Sequence, residues 1–294
     1  MKNKPELTIV ILNYNTKELL ADCLNSIKKN ISEVAMEIIV SDNASTDGGP
    51  QMVRKKFPWV KLVEGPNEGF SKGNNRARSI VNGKMVLFLN PDTVVYKNVF
   101  KETVRYLKNH KDVGALTCKL VLPDGRLDKD TRRRFPTPWI SFQHLILGND
   151  KEYWYEDVSE NKIQDVDTIQ GAFLLTWKHI LDKVGWWDER YYFDGEDIDL
   201  CYQIHKVGYK IVFYPKVYIT HLKGVTKGKV AKWKHKVTAK QRQKLRLSGV
   251  ASMERFYKKN LWNKYPTLFN YFVLMGIKIF KIVRYMRVAL LSSY

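Results

Sequence analysis

Leu7-Thr8-Ile9-Val10-Ile11-Leu12-Asn13-Tyr14-Asn15 is an unbroken apolar run, rich in β-branched residues, that stops abruptly at polar side chains. That is the pattern of a strand buried on both faces of a parallel sheet. Helical spacing follows over Lys17–Lys29, with Leu19, Leu20, Leu24 and Ile27 on one face. A second strand at 37–40 runs into the turn-rich Ser41-Asp42-Asn43-Ala44-Ser45-Thr46-Asp47-Gly48-Gly49. A helix over 52–57, a strand at 60–63, a helix over 74–81 and a strand over 84–89 continue the alternation. The pattern predicts a doubly wound α/β domain with a Rossmann-like, mostly parallel sheet. Ligands of such sheets bind beyond the carboxyl ends of the strands. Asn13-Tyr14-Asn15, Asp42-Asn43 and Asn90-Pro91-Asp92 all fall there.

Beyond this half, the segment 114–165 reads as less regular, with a turn at Pro123-Asp124-Gly125. Arg132-Arg133-Arg134 beside Pro136-Thr137-Pro138 reads as an exposed loop able to reach an anion. Order returns over 168–177, then helices over 179–184 and 197–207, and a last strand from 209 ending near Thr220-His221.

The chain has 294 residues, 44% hydrophobic and 13% aromatic, enough for a substantial core. Cys23, Cys118 and Cys201 are too scattered for a zinc site and read as buried apolar residues in a reducing compartment. Met1-Lys2-Asn3-Lys4-Pro5-Glu6 has no apolar h-region, so no signal peptide is expected. Residues 226–294 hold 17 Lys and Arg against the single acid Glu254, which is +16 of the total +20. One segment therefore meets an anionic surface while the larger, nearly balanced part does something else.

Acids gathered in so basic a chain need a reason. Asp92 ends the strand Lys84-Met85-Val86-Leu87-Phe88-Leu89, where a carboxylate can ligate Mg²⁺ or Mn²⁺; a simple strand-ending turn is the alternative. Asp194-Gly195-Glu196-Asp197-Ile198-Asp199 opens a helix with more acid than the macrodipole needs. Gln170-Gly171 precedes it and could line the same pocket. Asn67-Glu68-Gly69-Phe70-Ser71-Lys72-Gly73-Asn74-Asn75 is a glycine-bearing loop entering a helix, suited to a diphosphate or to ordinary capping. Asn13, Asn15, Asp42 and Asn43 can bond a base or ribose, or simply make turns. His221 is a lone histidine after the last strand. No Gly-x-Gly-x-x-Gly follows the first strand, which argues against a dinucleotide fold.

Taken in order over residues 7–225, these motifs resemble the family 2 glycosyltransferases of GT-A fold, closest to the rhamnosyltransferase-like branch. Leu89-Asn90-Pro91-Asp92 stands where the family has Asp-x-Asp, and Gly185-Trp186-Trp187-Asp188-Glu189 with Glu196-Asp197-Ile198-Asp199 resembles its acceptor-side motif. The resemblance implies inverting transfer of a sugar, rhamnose among the candidates, from a UDP- or dTDP-sugar to a hydroxyl of a lipid-linked or polymeric glycan in cell-envelope polysaccharide synthesis. It implies that Asp42 reads the base beside Asn13, Asn15 and Asn43. It places Asn67, Gly69, Asn75, Asn90, Gln170 and Gly171 around the nucleotide-sugar, and Asp92 with His221 on a Mg²⁺ or Mn²⁺ cofactor. Asp197 is the implied base, supported by Glu196. Asn90 departs from Asp-x-Asp and removes one charged ligand.

The expected division is a catalytic domain over 1–225, with a nucleotide-sugar half to about 113 and an acceptor half beyond, followed by a basic helical segment over 226–294. In 268–291, Lys278, Lys281, Arg284 and Arg287 recur every third residue among aromatics and aliphatics. Too few apolar residues precede Lys278 to span a bilayer. The segment reads as a helix lying on an anionic membrane, peripheral on its cytoplasmic face, or else packed on protein. No nucleic-acid motif accompanies the charge, so no nucleic acid is expected. A non-catalytic basic binding protein on the same fold is the other reading.

Overall fold

The computed structural model describes residues 4–223 and 239–292, with side chains for 4–223 and 247–286. The basic run 227–246 therefore lies outside the described side chains. The first half alternates β1 (Leu7–Asn13), α1 (Lys17–Lys29), β2 (Met36–Asn43), α2 (Gly49–Lys56), β3 (Lys61–Gly65), α3 (Phe70–Asn75) and β4 (Met85–Leu89). Then come β5 (Thr93–Val95), α4 (Val99–Asn109), β6 (Val113–Val121), β7 (Arg132–Arg133) and α5 (Pro138–Leu145). After them lie β8 (Gln164–Asp165), β9 (Thr168–Ile169), β10 (Phe173–Trp177), α6 (Lys178–Val184), α7 (Glu196–Lys206) and β11 (Lys210–His221).

The main sheet has the order β3-β2-β1-β4-β10-β6-β11-β5, with β8 added on β11. β1, β2, β3 and β4 are mutually parallel, and β6 and β11 point the same way. β10, β5 and β8 run against them. Alternation along each strand sends side chains to two cores. Leu7, Ile9, Ile11, Leu87 and Leu89 pack with Leu20, Leu24 and Ile27 of α1 and Phe100 of α4. Val10, Phe88 and Leu174 pack on the other face with Trp186, Trp187 and Leu200. The Trp187 ring stands edge-on to Phe88 at 4.8 Å and to Phe70 at 5.3 Å, which joins α3 to the α7 side of the sheet.

Three sequence expectations are corrected. The helix expected over 74–81 begins earlier, at Phe70, and ends at Asn75, followed by a short 3₁₀ turn at Arg78–Ile80. The segment expected to be irregular from 114 opens with β6, buried between β10 and β11. Its residues Gly114, Ala115, Thr117 and Cys118 are small or polar, so no long apolar run announces the strand. The arginine cluster is not an exposed loop. Arg132 is 2% exposed and donates to the carbonyls of Tyr155, Val158 and Ser159, with its guanidinium 5.0 Å over the Phe213 ring. Arg134 lies 4.2 Å over the Tyr155 ring and pairs with Asp157.

Past the sheet, α8 (Ala239–Phe256) and α9 (Thr267–Ser292) fold back onto α7. Phe256, Tyr257 and Leu261 cluster with Ile198, while Lys259 Nζ donates to Asp199 Oδ2 at 2.6 Å and Asn260 to Asp199 Oδ1 at 2.8 Å. Asp199 is thus the anchor of the C-terminal helices. On α9, Val273, Leu274 and Ile277 face this cluster, whereas Leu268, Phe272, Met275, Ile279 and Ile282 are exposed. The helix packs on protein along one side and leaves an apolar side uncovered. Among the described residues no helix is long and apolar enough to cross a membrane.

Removing the Arg132 guanidinium strands its buried carbonyl partners, each worth about 1 kcal/mol. Arg132→Leu should lower the unfolding free energy by about 2–4 kcal/mol in urea. A loss below about 0.5 kcal/mol would be the behaviour of an exposed loop position.

Candidate active site

The carboxyl ends of β1, β2 and β4, the loop before α7 and the inner side of α8 enclose a cavity of about 760 Å³. Asn15, Asn43, Asn67, Gly69, Asn90, Asp92, Gln170, Gly171, Glu196, Asp197 and His221 all line it. Eleven of the fourteen residues expected from sequence therefore share one wall system; Asn13, Asp42 and Asn75 do not. Asn13 and Asp42 sit opposite each other on β1 and β2, and Asn13 Nδ2 donates to Asp42 Oδ1 at 2.7 Å. Asp42 Oδ2 accepts the Ser45 N–H at 2.8 Å, and the residue is 2% exposed. This pair stitches the strand ends from behind, while Asn15 and Asn43 line the cavity, Asn43 with its amide donating to the Gly69 carbonyl and accepting from Arg76. Asn75 turns the other way and holds the Trp187 backbone through its amide, donating to the carbonyl at 2.9 Å and accepting from the N–H at 3.2 Å.

Two glycines are required where the backbone crowds. Gly69 has φ +97°, and a Cβ there would lie 2.4 Å from the Tyr192 carbonyl oxygen. Gly195 has φ +91° and starts α7 against Ser252 of α8, 3.0 Å from where a Cβ would be. Asp194 before it is also left-handed, at φ +64°, so the turn aims the acidic first turn of α7 into the cavity.

Asp92 and His221 meet because of strand register. β11 pairs antiparallel with β5, placing His221 opposite Thr93, and the Leu222 N–H donates to the Asp92 carbonyl at 2.9 Å. His221 Nε2 lies 3.4 Å from Asp92 Oδ1, and Nδ1 lies 2.9 Å from Asp128 Oδ2. Among the described residues Asp92 Oδ1 is buried with no hydrogen-bond partner, the His221 imidazole being an ion-pair neighbour only. Lys223 also pairs with Asp128, and with Asp130 at 2.7 Å. Burial opposes charge on His221, but Asp92 and Asp128 prevail and raise its pKa to about 9. An orphaned carboxylate oxygen beside an imidazole whose other nitrogen is held by a carboxylate fits a divalent cation. Among the described residues no group of three or more His, Cys, Asp or Glu side chains could hold a metal, so a cation there would need further oxygens from a bound anion or water.

Asp197 lies in a different setting. Arg133 donates to its Oδ2 at 2.6 Å, and the Gly171 N–H reaches the same oxygen at 3.3 Å. The Ile198 N–H occupies Oδ1 at 2.8 Å. Burial disfavours the Arg133 cation, but Asp197 holds it protonated well above its usual range. A carboxylate so held is fixed in orientation, with lone pairs left for a hydroxyl proton. Gln170 Oε1 is a further buried acceptor without a partner among the described residues.

Sequence reasoning missed Asp128, Arg133 as an ion-pair partner, Lys223, and the α8 and α9 residues Ser252, Met253 and Arg284 in the cavity wall. Asp128 lies next to the Pro123-Asp124-Gly125 turn, and that hairpin is what folds it back towards β11. Nothing in its local sequence marks it.

Residues 5–246 match the model of the family described as "Glycosyltransferase like family 2". The chain is 26% identical over 242 residues to the N-acetylglucosaminyl-diphospho-decaprenol L-rhamnosyltransferase of Mycobacterium tuberculosis, covering 76% of this chain and 78% of that protein. It is 23% identical over 221 residues to rhamnosyltransferase WbbL of Escherichia coli, covering 72% and 82% respectively. Among solved structures, the mannosyltransferase PcManGT of Pyrobaculum calidifontis, in complex with GDP-Man and Mn²⁺, superposes with a TM-score of 0.59 at 17% identity, covering 98% of this chain and 74% of that one. That likeness is one of fold.

The Asp92–His221–Asp128 geometry predicts a pH signature for the metal-free protein. The folded pKa of His221 is raised above its ordinary 6.5 to about 9. Its stabilising contribution is therefore full below pH ~6.5 and is lost as pH rises through about 9. Urea midpoints of wild type should fall relative to His221→Gln across that interval. A constant difference between the two would show that the imidazole carries no proton between the carboxylates.

Proposed function

This chain belongs to glycosyltransferase family 2, and we propose that it moves a sugar, rhamnose foremost, from a UDP- or dTDP-sugar to a hydroxyl of a lipid-linked or polymeric glycan of the cell envelope, with inversion. The observation that carries this reading is one cavity holding both the orphaned Asp92 oxygen beside His221 and the oriented Asp197 carboxylate. The M. tuberculosis and E. coli relatives are named as rhamnosyltransferases, which supports the choice of sugar, and the first is named for a diphospho-decaprenol-linked sugar, which supports a lipid-linked acceptor.

In this mechanism the nucleotide lies across the ends of β1 and β2, against Asn15 and Asn43, with Asp42 behind them. Asn67, Gly69, Asn90, Gln170 and Gly171 surround the sugar diphosphate, and Gln170 Oε1 accepts a hydroxyl of the sugar. Asp92 and His221 Nε2 would hold Mg²⁺ or Mn²⁺, which neutralises charge growing on the leaving diphosphate. The imidazole nitrogen favours Mn²⁺. Asp128 fixes the imidazole so that Nε2 points at Asp92. Lys223 adds a cation at the same end. On the acceptor side, Asp197 takes the proton of the attacking hydroxyl. Arg133 keeps it aimed, and Glu196 contacts the acceptor. Base and leaving group then lie on opposite faces of the sugar, so one in-line displacement suffices.

The C-terminal helices support peripheral attachment to the cytoplasmic face of an anionic membrane. The uncovered side of α9 gives apolar contact, with Lys278 and Lys281 exposed beside it.

Asp197→Asn keeps the shape and removes the proton acceptor. Transfer from the nucleotide-sugar should fall about 10²–10⁴-fold, with UDP or dTDP still protecting the protein against heat better than ADP. Near-normal turnover would remove Asp197 as the base, and equal protection by the three nucleotides would remove uridine or thymidine selectivity. Lys278→Glu with Lys281→Glu should lower binding to anionic vesicles by roughly tenfold or more, at about 1 kcal/mol per cation near the surface. Raised salt should weaken wild-type binding in the same direction. Vesicle binding indifferent to both would mean that α9 contacts protein alone.

A further inference from the structure

α5 is apolar almost all round, Pro138-Trp139-Ile140-Ser141-Phe142-Gln143-His144-Leu145, yet it buries only one side. Ile140 and Gln143 face inwards, while Trp139 is 62% and Phe142 45% exposed, with Ile146 and Leu147 beyond them at 65% and 59%. Four large apolar side chains within nine residues stand in solvent, and Trp139 and Phe142 stack on one another at 6.1 Å. The same helix supplies Ser141, His144 and Leu145 to the wall of the catalytic cavity. α9 repeats the arrangement, with Phe272, Met275, Ile279 and Ile282 exposed and Arg284 in the cavity wall. No carboxylate among the described residues pairs with Arg284.

Two apolar banks thus belong to helices that wall one cavity, and a cation with no carboxylate partner among the described residues stands in the wall on the α9 side. Exposed apolar surface of this extent marks a contact with another apolar phase. A cation at its inner edge asks for an anionic group where the apolar chain ends. We propose that α5 and α9 form a lipid mouth for the acceptor: the outer faces of both helices enter the membrane surface, the isoprenoid chain of a polyprenyl-diphosphate-linked sugar stays in the bilayer between them, and Arg284 takes the diphosphate. This deepens the transferase reading above and rests on it. It makes α5 a second membrane contact, distinct from the basic helix, and Arg284 the residue that selects a diphosphate-bearing acceptor over a neutral one. The acceptor hydroxyl then reaches Asp197 from the side opposite the nucleotide.

The test uses the full chain in EDTA, which keeps diphosphate off any metal at Asp92 and His221. Geranylgeranyl diphosphate is the probe and geranylgeraniol its neutral control. Arg284→Gln should weaken the diphosphate about tenfold or more and leave the alcohol unchanged, with Arg284→Lys retaining most of the affinity. In vesicles of phosphatidylcholine and phosphatidylglycerol in equal parts, brominated phosphatidylcholine should quench a component of the tryptophan emission that Trp139→Phe removes. Unchanged urea midpoints check that both variants fold. Equal affinity of wild type and Arg284→Gln for geranylgeranyl diphosphate would overturn the role of Arg284. Quenching identical in wild type and Trp139→Phe would mean that α5 faces solvent or protein, and would overturn the second bank. Nucleotide protection is read separately. A chain that binds UDP or dTDP but fails these arms loses only this inference, and one that binds the prenyl diphosphate but no nucleotide loses the transferase reading.

Discussion

β11 pairs with three strands, β6, β8 and β5, and the site depends on how it manages the first and the last. Its first half lies parallel to β6, and the register then shifts between Tyr214 and Tyr218 around Pro215. Proline cannot donate to a ladder, so the break falls where the ladder can lose a bond. After the shift the strand still follows β6 but also takes β5 antiparallel on its other edge, with His221 opposite Thr93. β5 itself follows β4 by only the Asn90-Pro91-Asp92 turn. The register of a few residues therefore brings a histidine from the end of the sheet domain to a carboxylate from its middle. A slip of one residue would turn His221 to the opposite face.

The acids of the α7 turn show how a basic chain distributes a small number of carboxylates. Asp197 faces the cavity and is held by Arg133, while Asp199, two residues on, points the other way and takes Lys259 and Asn260. One helical turn thus serves both the cavity and assembly. The C-terminal helices are docked through a buried charge on the same element that carries the candidate base. Their inner side chains Ser252, Met253 and Phe256 complete the cavity. Movement of α8 would therefore be felt in the cavity wall, because Ser252 packs where a side chain at position 195 would stand.

Much of the first half was legible because its signals are local. Leu7–Asn13 and Met85–Leu89 are continuous apolar runs, and Lys17–Lys29 keeps strict helical spacing. The second half was harder to read for physical reasons. β6 is buried by its neighbours although it contains Gly114, Thr117 and Lys119, so tertiary cover replaces hydrophobic pattern. Arg132 and Arg133 look like surface residues by type, but one is satisfied by backbone carbonyls and the other by Asp197. Those partners lie some 25 and 64 residues away in the chain, a distance that no local pattern encodes.

By itself the sequence determined the α/β class, the sheet's leading strands, the family, and which polar clusters would stand at the strand ends, because strand period and turn chemistry are properties of neighbouring residues. Only the tertiary structure decided which of those polar groups face the cavity. It turned Asn13 and Asp42 towards each other, sent Asn75 to Trp187, and added Asp128 to the expected neighbours His221 and Asp92. The physical reason is that a polar side chain at a strand end has several ways to satisfy its hydrogen bonds. The choice among them is made by whatever the folded chain brings within about 3 Å.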